Sequence, residues 1–209
     1  REVEALVHVE VQTISEAKMK ASGIRVWNSD FICRVHQLFY ERLPKELCIV
    51  QNEETGEEQE VLPGHFRQAT VKVGRPIPPD PEEIAGLMER FVEVYAPGSY
   101  RGTDRLLAAA ASHHRLAWIH PFLDGNGRLP RFFTGCYLVQ SDMDGYGLWT
   151  ISRGFARYRN NYVQNLANAD APRQGDVNGR GHLTQRGLDR FCRFFLETCM
   201  DQITFMGTL

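Results

Sequence analysis

Cysteine is scarce in this 209-residue chain. The five present, Cys33, Cys48, Cys136, Cys192 and Cys199, are odd in number, scattered and never spaced C-x-x-C. That pattern supports neither a disulfide framework nor a thiolate zinc site. It reads instead as buried core thiols in a reducing compartment, so a cytoplasmic location is expected. A surplus of charge is also missing. Twenty-four Lys and Arg against 26 Asp and Glu leave a formal charge of −2, which gives no basic face for nucleic acid. No apolar run approaches the roughly 18–20 residues that span a bilayer, and the N-terminus lacks the basic-then-apolar layout of a secretory signal. No membrane association is expected. Internal repeats and low-complexity tracts are absent. The remainder is an ordinary globular composition, 43% hydrophobic and 24% charged, long enough for one well-buried domain.

Helical periodicity dominates. Val3, Leu6, Val7 and Ile14 outline a first helix ending near Gly23, and Ile32, Val35 and Phe39 a second, capped by Asn28 or Ser29 and closed by Pro44. Residues 52–60 are polar and acidic and read as a solvated loop. Thr70, Val71, Lys72 and Val73 alternate between glycines, the best strand candidate, and support a lone hairpin or short edge strand. Asp80, Pro81 and Glu83 form a helix start of capping-box type. Ile84, Leu87, Met88, Phe91, Val92 and Tyr95 follow at helical spacing until Pro97-Gly98. An Ala-rich helix from about Thr103 to Trp118 is expected to be central. Further helices are expected over 129–141, over 150–168, and from Thr184 with Leu188, Phe191, Cys192, Phe195, Cys199 and Ile203 inward. The fold class is mainly α with one small β element.

The chemistry is concentrated in one run, His120-Pro121-Phe122-Leu123-Asp124-Gly125-Asn126-Gly127-Arg128-Leu129-Pro130-Arg131. It lies between two apolar helical patterns, so it forms a loop feeding a helix N-terminus. Such a terminus offers unpaired N–H groups and partial positive charge. Gly125 and Gly127 let backbone approach an anion closely. Asn126 tolerates unusual backbone angles and can donate from its amide. Pro130 sits in the first turn at no hydrogen-bond cost. Arg128 and Arg131, three apart, reach the same helix end with fork-shaped donors suited to phosphate. Asp124 can hold Mg²⁺, which takes few carboxylates alongside phosphate oxygens. His120, just outside this cradle, is suited to accept a proton from a hydroxyl. Elsewhere the residues read blandly. His113 and His114 lack the partners of a zinc site, Arg153, Arg157 and Arg159 read as a solvated helix face with phosphate binding as the alternative, and Trp27, Trp118 and Trp149 read as core.

The run matches, residue for residue, the signature H-x-F-x-[DE]-G-N-G-R-x-x-R, and in this the chain resembles the Fic family. Residues 63–79 are similar to the family's flap segment, and Ser152-Arg153 with the Tyr162 region to the stretch after the motif. The likeness covers at least residues 28–206. It implies a Fic-type helical bundle with a short β-hairpin flap over 1–209, in which 1–27 is an N-terminal helical segment and 28–206 the core. It implies transfer of AMP from ATP to a Ser, Thr or Tyr hydroxyl of a protein target, with release of pyrophosphate. His120 is then the general base, Phe122 the loop anchor and Asp124 the Mg²⁺ ligand. Gly125, Asn126 and Gly127 become the anion hole, Arg128 and Arg131 the β- and γ-phosphate ligands, and Tyr162 a flank for adenine. Thr70, Val71, Lys72 and Val73 become the flap that pairs with an extended target segment.

Many family members carry an inhibitory [ST]-x-x-x-E-[GN] helix, which has no match here. The expectation is a fragment of a longer protein, trimmed just after such a helix and therefore de-repressed, with a separate partner as the alternative source of the inhibitory Glu. Self-modification and homodimers are further expectations. The competing readings are a nucleotide-binding regulatory module, a transferase using another donor, and removal of AMP.

Overall fold

The computed structural model describes residues 2–18, 23–52, 56–71, 77–143 and 150–208. Among them are eight α-helices and one two-stranded sheet: α1 (Glu2–Lys18), α2 (Ser29–Tyr40), β1 (Ile49–Gln51), β2 (Glu58–Glu60), α3 (Ile84–Val94), α4 (Asp104–Ile119), α5 (Leu129–Gln140), α6 (Ile151–Arg157), α7 (Arg159–Ala169) and α8 (Gln185–Met206). The mainly α class read from periodicity is the observed one. The Ala-rich α4 is central: Ala108, Ala109, Ala110, Leu116 and Ile119 are buried, and α4 packs on α3, α5 and α8. Small side chains let those helices approach closely around it.

Helix starts follow their local chemistry. The Asp80 backbone N–H donates to Glu83 Oε2 at 3.1 Å, opening the 3₁₀ turn Pro81–Glu83 that leads into α3. Thr150 and Thr184 accept from the Arg153 and Gly187 amides at the starts of α6 and α8. Gly187 is required by packing. A Cβ there would lie 2.4 Å from the Asn168 carbonyl oxygen and 2.8 Å from Ala169 Cα, both in the α7 backbone. Gly187→Ala should therefore destabilise the protein by about 1–3 kcal/mol. Urea unfolding measures this, and an unchanged midpoint would contradict the α7–α8 packing.

Five expectations are corrected. The sheet lies upstream of the predicted strand: Ile49, Val50 and Gln51 pair antiparallel with Glu60, Gln59 and Glu58. Part of the stretch read as a loop is thus a strand, held by backbone pairing that its polar side chains do not announce. Thr70 and Val71 belong to no strand, and Lys72 and Val73 lie outside the described residues. The buried face of α1 is Ala5, Val9, Thr13 and Ala17, whereas Val3 and Val7 are 70% and 57% exposed; the helix approaches α5 through its smaller side chains. Ile203 is 45% exposed rather than inward. Residues 150–168 form two helices broken at Tyr158. Of the tryptophans, Trp27 and Trp118 are partly buried, and Trp149 lies outside the described residues.

Candidate active site

Pro121 cannot continue α4, so the helix closes at His120 with a left-handed residue, φ 53° and ψ 56°. A side chain in that conformation costs about 1–2 kcal/mol. The site offsets the cost with Arg67, whose Nε donates to the His120 carbonyl at 2.8 Å. The Arg67 amide donates to the Pro121 carbonyl at 2.9 Å, and its guanidinium also reaches the carbonyls of Ala69 and Pro79. One buried side chain thus ties the flap-like segment to the motif.

The His120 ring is oriented for base chemistry. Its Nδ1 lies 3.2 Å from the Ala117 carbonyl, which only accepts, so Nδ1 carries the proton and Nε2 is the basic nitrogen. Burial pushes its pKa down to about 4, the Ala117 carbonyl opposing, and Arg67 lowers it further. The ring is neutral at pH 7.

Below His120 the loop is clamped. Asn126 Oδ1 accepts from the Phe122 amide at 2.9 Å and its Nδ2 donates to the Phe122 carbonyl at 2.7 Å. Its Oδ1 and one of its two N–H donors are thus engaged within the loop. Gly125 takes the positive φ, 84°, and a Cβ there would meet the Tyr40 ring at 3.1 Å. The Arg128 and Leu129 amides donate to the Gly125 carbonyl, while no backbone carbonyl among the described residues accepts from Asn126 or Gly127. Those two residues line the cleft, as an anion nest requires.

The floor comes from α2. Phe122 is fully buried and stacks on His36 at 3.9 Å. The Gly64 amide donates to His36 Nδ1 at 2.9 Å, so the ring proton is on Nε2, which donates to the Asp124 carbonyl at 3.2 Å. Burial pushes the His36 pKa down to about 4. Tyr40 donates to Asp124 Oδ2 at 2.6 Å, and Arg128 Nη2 lies 3.1 Å from the same oxygen. Desolvation raises the Asp124 pKa, but Tyr40, the Gly125 amide and Arg128 outweigh it and hold the carboxyl below its ordinary value.

A cleft of about 740 Å³ opens above the loop. Its lining includes His120, Asn126, Gly127 and Arg131 of the motif region, the apolar side chains of Phe155 and Leu166, and Tyr162 and Asp170. The expected residues thus divide. His120, Asn126, Gly127, Arg131 and Tyr162 share the cleft. Arg128 does not line it: Nη1 pairs with Glu2 of α1 at 2.6 Å, Nη2 with Asp124, and the guanidinium lies over the Phe39 ring. Its charge partners draw Arg128 away from Arg131, although the two are only three residues apart. Among the described residues no three His, Cys, Asp or Glu form a metal cage. A single ionised carboxylate, with Oδ2 engaged and its side chain 43% exposed, fits a magnesium ion whose remaining ligands are phosphate and water.

Sequence reasoning passed over Arg67, His36, Tyr40 and Asp170. His36 and Tyr40 had a signal, two polar rings four apart on an apolar helix face. Arg67 had only its place in the flap-like segment. Asp170 is held by buried His114, whose Nε2 lies 2.9 Å from Oδ1. Arg159 reaches the cleft rim, while Arg153 pairs with Gln202 and covers Phe205.

The architecture is a helical bundle in which one helix ends on a left-handed histidine and the next begins just after the Gly125-Asn126-Gly127 turn. Residues 27–138 match the model of the Fic/DOC family, and the chain belongs to that family. It is 37% identical over 78 residues to the curated protein named Protein adenylyltransferase Fic of Drosophila grimshawi, covering 37% of this chain and 16% of that one. To its namesake in Drosophila yakuba it is 36% identical over 115 residues, 54% of this chain and 21% of that one. The match therefore spans about a fifth or less of those relatives. Among solved structures, a Fic domain containing signaling protein from Bacteroides thetaiotaomicron superposes with a TM-score of 0.68 at 20% identity, over 98% of this chain and 70% of that one. A Fic family protein from Desulfovibrio desulfuricans gives 0.62 at 16% identity, over 95% and 53%. At these identities the structural likeness concerns the fold.

Proposed function

We propose that this domain is a protein adenylyltransferase that moves AMP from ATP to a Ser, Thr or Tyr hydroxyl of a protein target. The carrying observation is His120: a neutral ring with Nε2 as its basic nitrogen, lining one cleft together with Asn126, Gly127 and Arg131. In the reaction, Nε2 takes the hydroxyl proton as the target oxygen bonds the α-phosphorus. The bond from that phosphorus to the β-phosphate bridging oxygen breaks, and pyrophosphate leaves. The nest and Arg131 hold the phosphate chain, and the apolar side chains of the cleft take the base. Asp124 is the residue that would hold magnesium, which when bound neutralises phosphate charge. The segment around Thr70 and Val71, tied to the motif through Arg67, is the surface offered to the target main chain.

Purified protein is given Mg²⁺ and ATP labelled at the α- or the γ-phosphate, with self-modification and lysate proteins as readouts. Label on protein from α alone is the expected result. Label from γ would make the domain a phosphotransferase, and ATP binding without any label would make it a regulatory module.

A further inference from the structure

His114 and Asp170 form a pair that the transfer step leaves unused. His114 Nε2 lies 2.9 Å from Asp170 Oδ1, and the His114 side chain is 2% exposed. A carboxylate only accepts, so Nε2 carries the ring proton and donates it. Nδ1 is then a bare acceptor, buried with no hydrogen-bond partner among the described residues. An unpaired buried nitrogen is a cost that Leu or Phe would avoid at this position. The ring packs against Phe191 at 5.8 Å, as an apolar side chain would. What the histidine adds is the N–H that fixes Asp170 Oδ1. Asp170 itself lines the cleft with its side chain 16% exposed, and among the described residues its Oδ2 has no hydrogen-bond partner. Tyr162, Leu166 and Asp170 follow at i, i+4 and i+8, so they share one face of α7 and its C-terminal end. From α4 the same cleft takes Ala117, Trp118 and His120. His114 precedes His120 by less than two helical turns, about 9 Å along the axis. That spacing leaves room for a ribose between an α-phosphate at His120 and the Asp170 carboxylate.

We propose that Asp170, oriented by His114, is the residue that selects the nucleotide: its carboxylate accepts a hydrogen bond from an N–H on the edge of the bound base, the exocyclic amino group in the case of adenine. The inference rests on the adenylyltransferase reading of the cleft and adds to it the basis of nucleotide choice. His114 holds the carboxylate through Oδ1, so Oδ2 is the oxygen left for the ligand. As an acceptor it favours a base edge that presents an N–H. An edge with only lone pairs or C–H groups would leave the buried carboxylate oxygen unpaired. The apolar side chains of Phe155 and Leu166 suit the face of any purine. In such a cleft apolar groups supply burial, and one well-placed polar group supplies the choice. His114 is a positioning residue, acting on the ligand only through Asp170.

The test is calorimetry in Mg²⁺ with ATP, with purine riboside 5′-triphosphate, which lacks the amino group, and with the 2′-deoxy and 3′-deoxy forms of ATP. The wild type should bind ATP about tenfold more tightly than purine riboside triphosphate, the scale of a hydrogen bond to a charged group. Asp170→Ala should abolish that preference and leave the ratio of ATP to either deoxy form unchanged. His114→Phe fills the volume but removes the N–H, and should reduce the preference. His114→Gln supplies an N–H again and should recover most of it. A residue that merely packs would change both affinities together and leave their ratio alone. Melting curves identify any variant that fails to fold, and the wild-type ratio with the remaining variants then decides. Equal binding of ATP and purine riboside triphosphate by the wild type overturns the inference alone, as does an Asp170→Ala variant that keeps the preference. An Asp170→Ala variant that loses discrimination against a deoxy form, and not against the missing amino group, assigns the carboxylate to the ribose and also overturns it. A wild type that binds none of these triphosphates overturns it together with the adenylyltransferase reading on which it rests.

Discussion

His120→Ala lowers AMP transfer by about 10²–10⁴-fold and leaves ATP affinity within a few-fold of wild type. Removing a general base costs a factor of that size, and in the proposed reaction the nest and Arg131, not the imidazole, hold the phosphates. The pH profile separates a base from a packing residue. His120 must be neutral to accept the proton, and burial with Arg67 nearby sets its pKa at about 4. Protonation, and loss of rate, therefore begins well below the imidazole value of about 6.5. The acid limb of kcat/KM should fall between pH 4 and 5 in wild type and be missing from the residual rate of the alanine variant. A limb near 6.5 in the wild type, or an alanine variant retaining a tenth of the rate, would contradict the assignment.

The second large effect is at Arg67. The residue is 3% exposed, and its guanidinium serves the carbonyls of His120, Ala69 and Pro79. Arg67→Met fills the volume but leaves these carbonyls without their donor. The cost is about 3–5 kcal/mol, roughly 10 °C in melting temperature for a chain of this size. Transfer should fall further than stability accounts for, because the left-handed backbone at His120 loses the donor that holds its carbonyl. The surviving rate should also show a raised acid limb, since Arg67 is one of the charges that depress the His120 pKa. Arg67→Lys keeps the charge but cannot fork to all three carbonyls, and should recover only part of both losses. Chemical unfolding and transfer assays below the melting point measure the two. A near-wild-type midpoint for Arg67→Met would show that the guanidinium does not tie the segments together.

What was legible in the chain was local. The Ala-rich period of α4, the Asp80–Glu83 start and the order of residues in the loop each depend on neighbours within a few positions, and each is found where the spacing put it. The β1–β2 pair was not legible, because Glu58-Gln59-Glu60 shows no alternation and is a strand only through backbone bonds to Ile49–Gln51. The exposed Val3 and Val7 misled for a related reason: which face of α1 is inward depends on how closely it approaches α5, and the small face won.

The twelve residues from His120 to Arg131 by themselves pointed to the family and singled out the candidate base and candidate anion nest, because a turn and a helix start are set by residues adjacent in sequence. Only the tertiary structure decided how that chemistry is divided. It turned Arg128 toward Glu2 and Asp124 and left Arg131 in the cleft. It also made Arg67 the tie between the two segments and chose the ring nitrogen that carries the proton in His36 and His120. The physical reason is that charge partners and hydrogen-bond direction depend on which distant groups burial brings within about 3 Å, and no spacing along the chain encodes that distance.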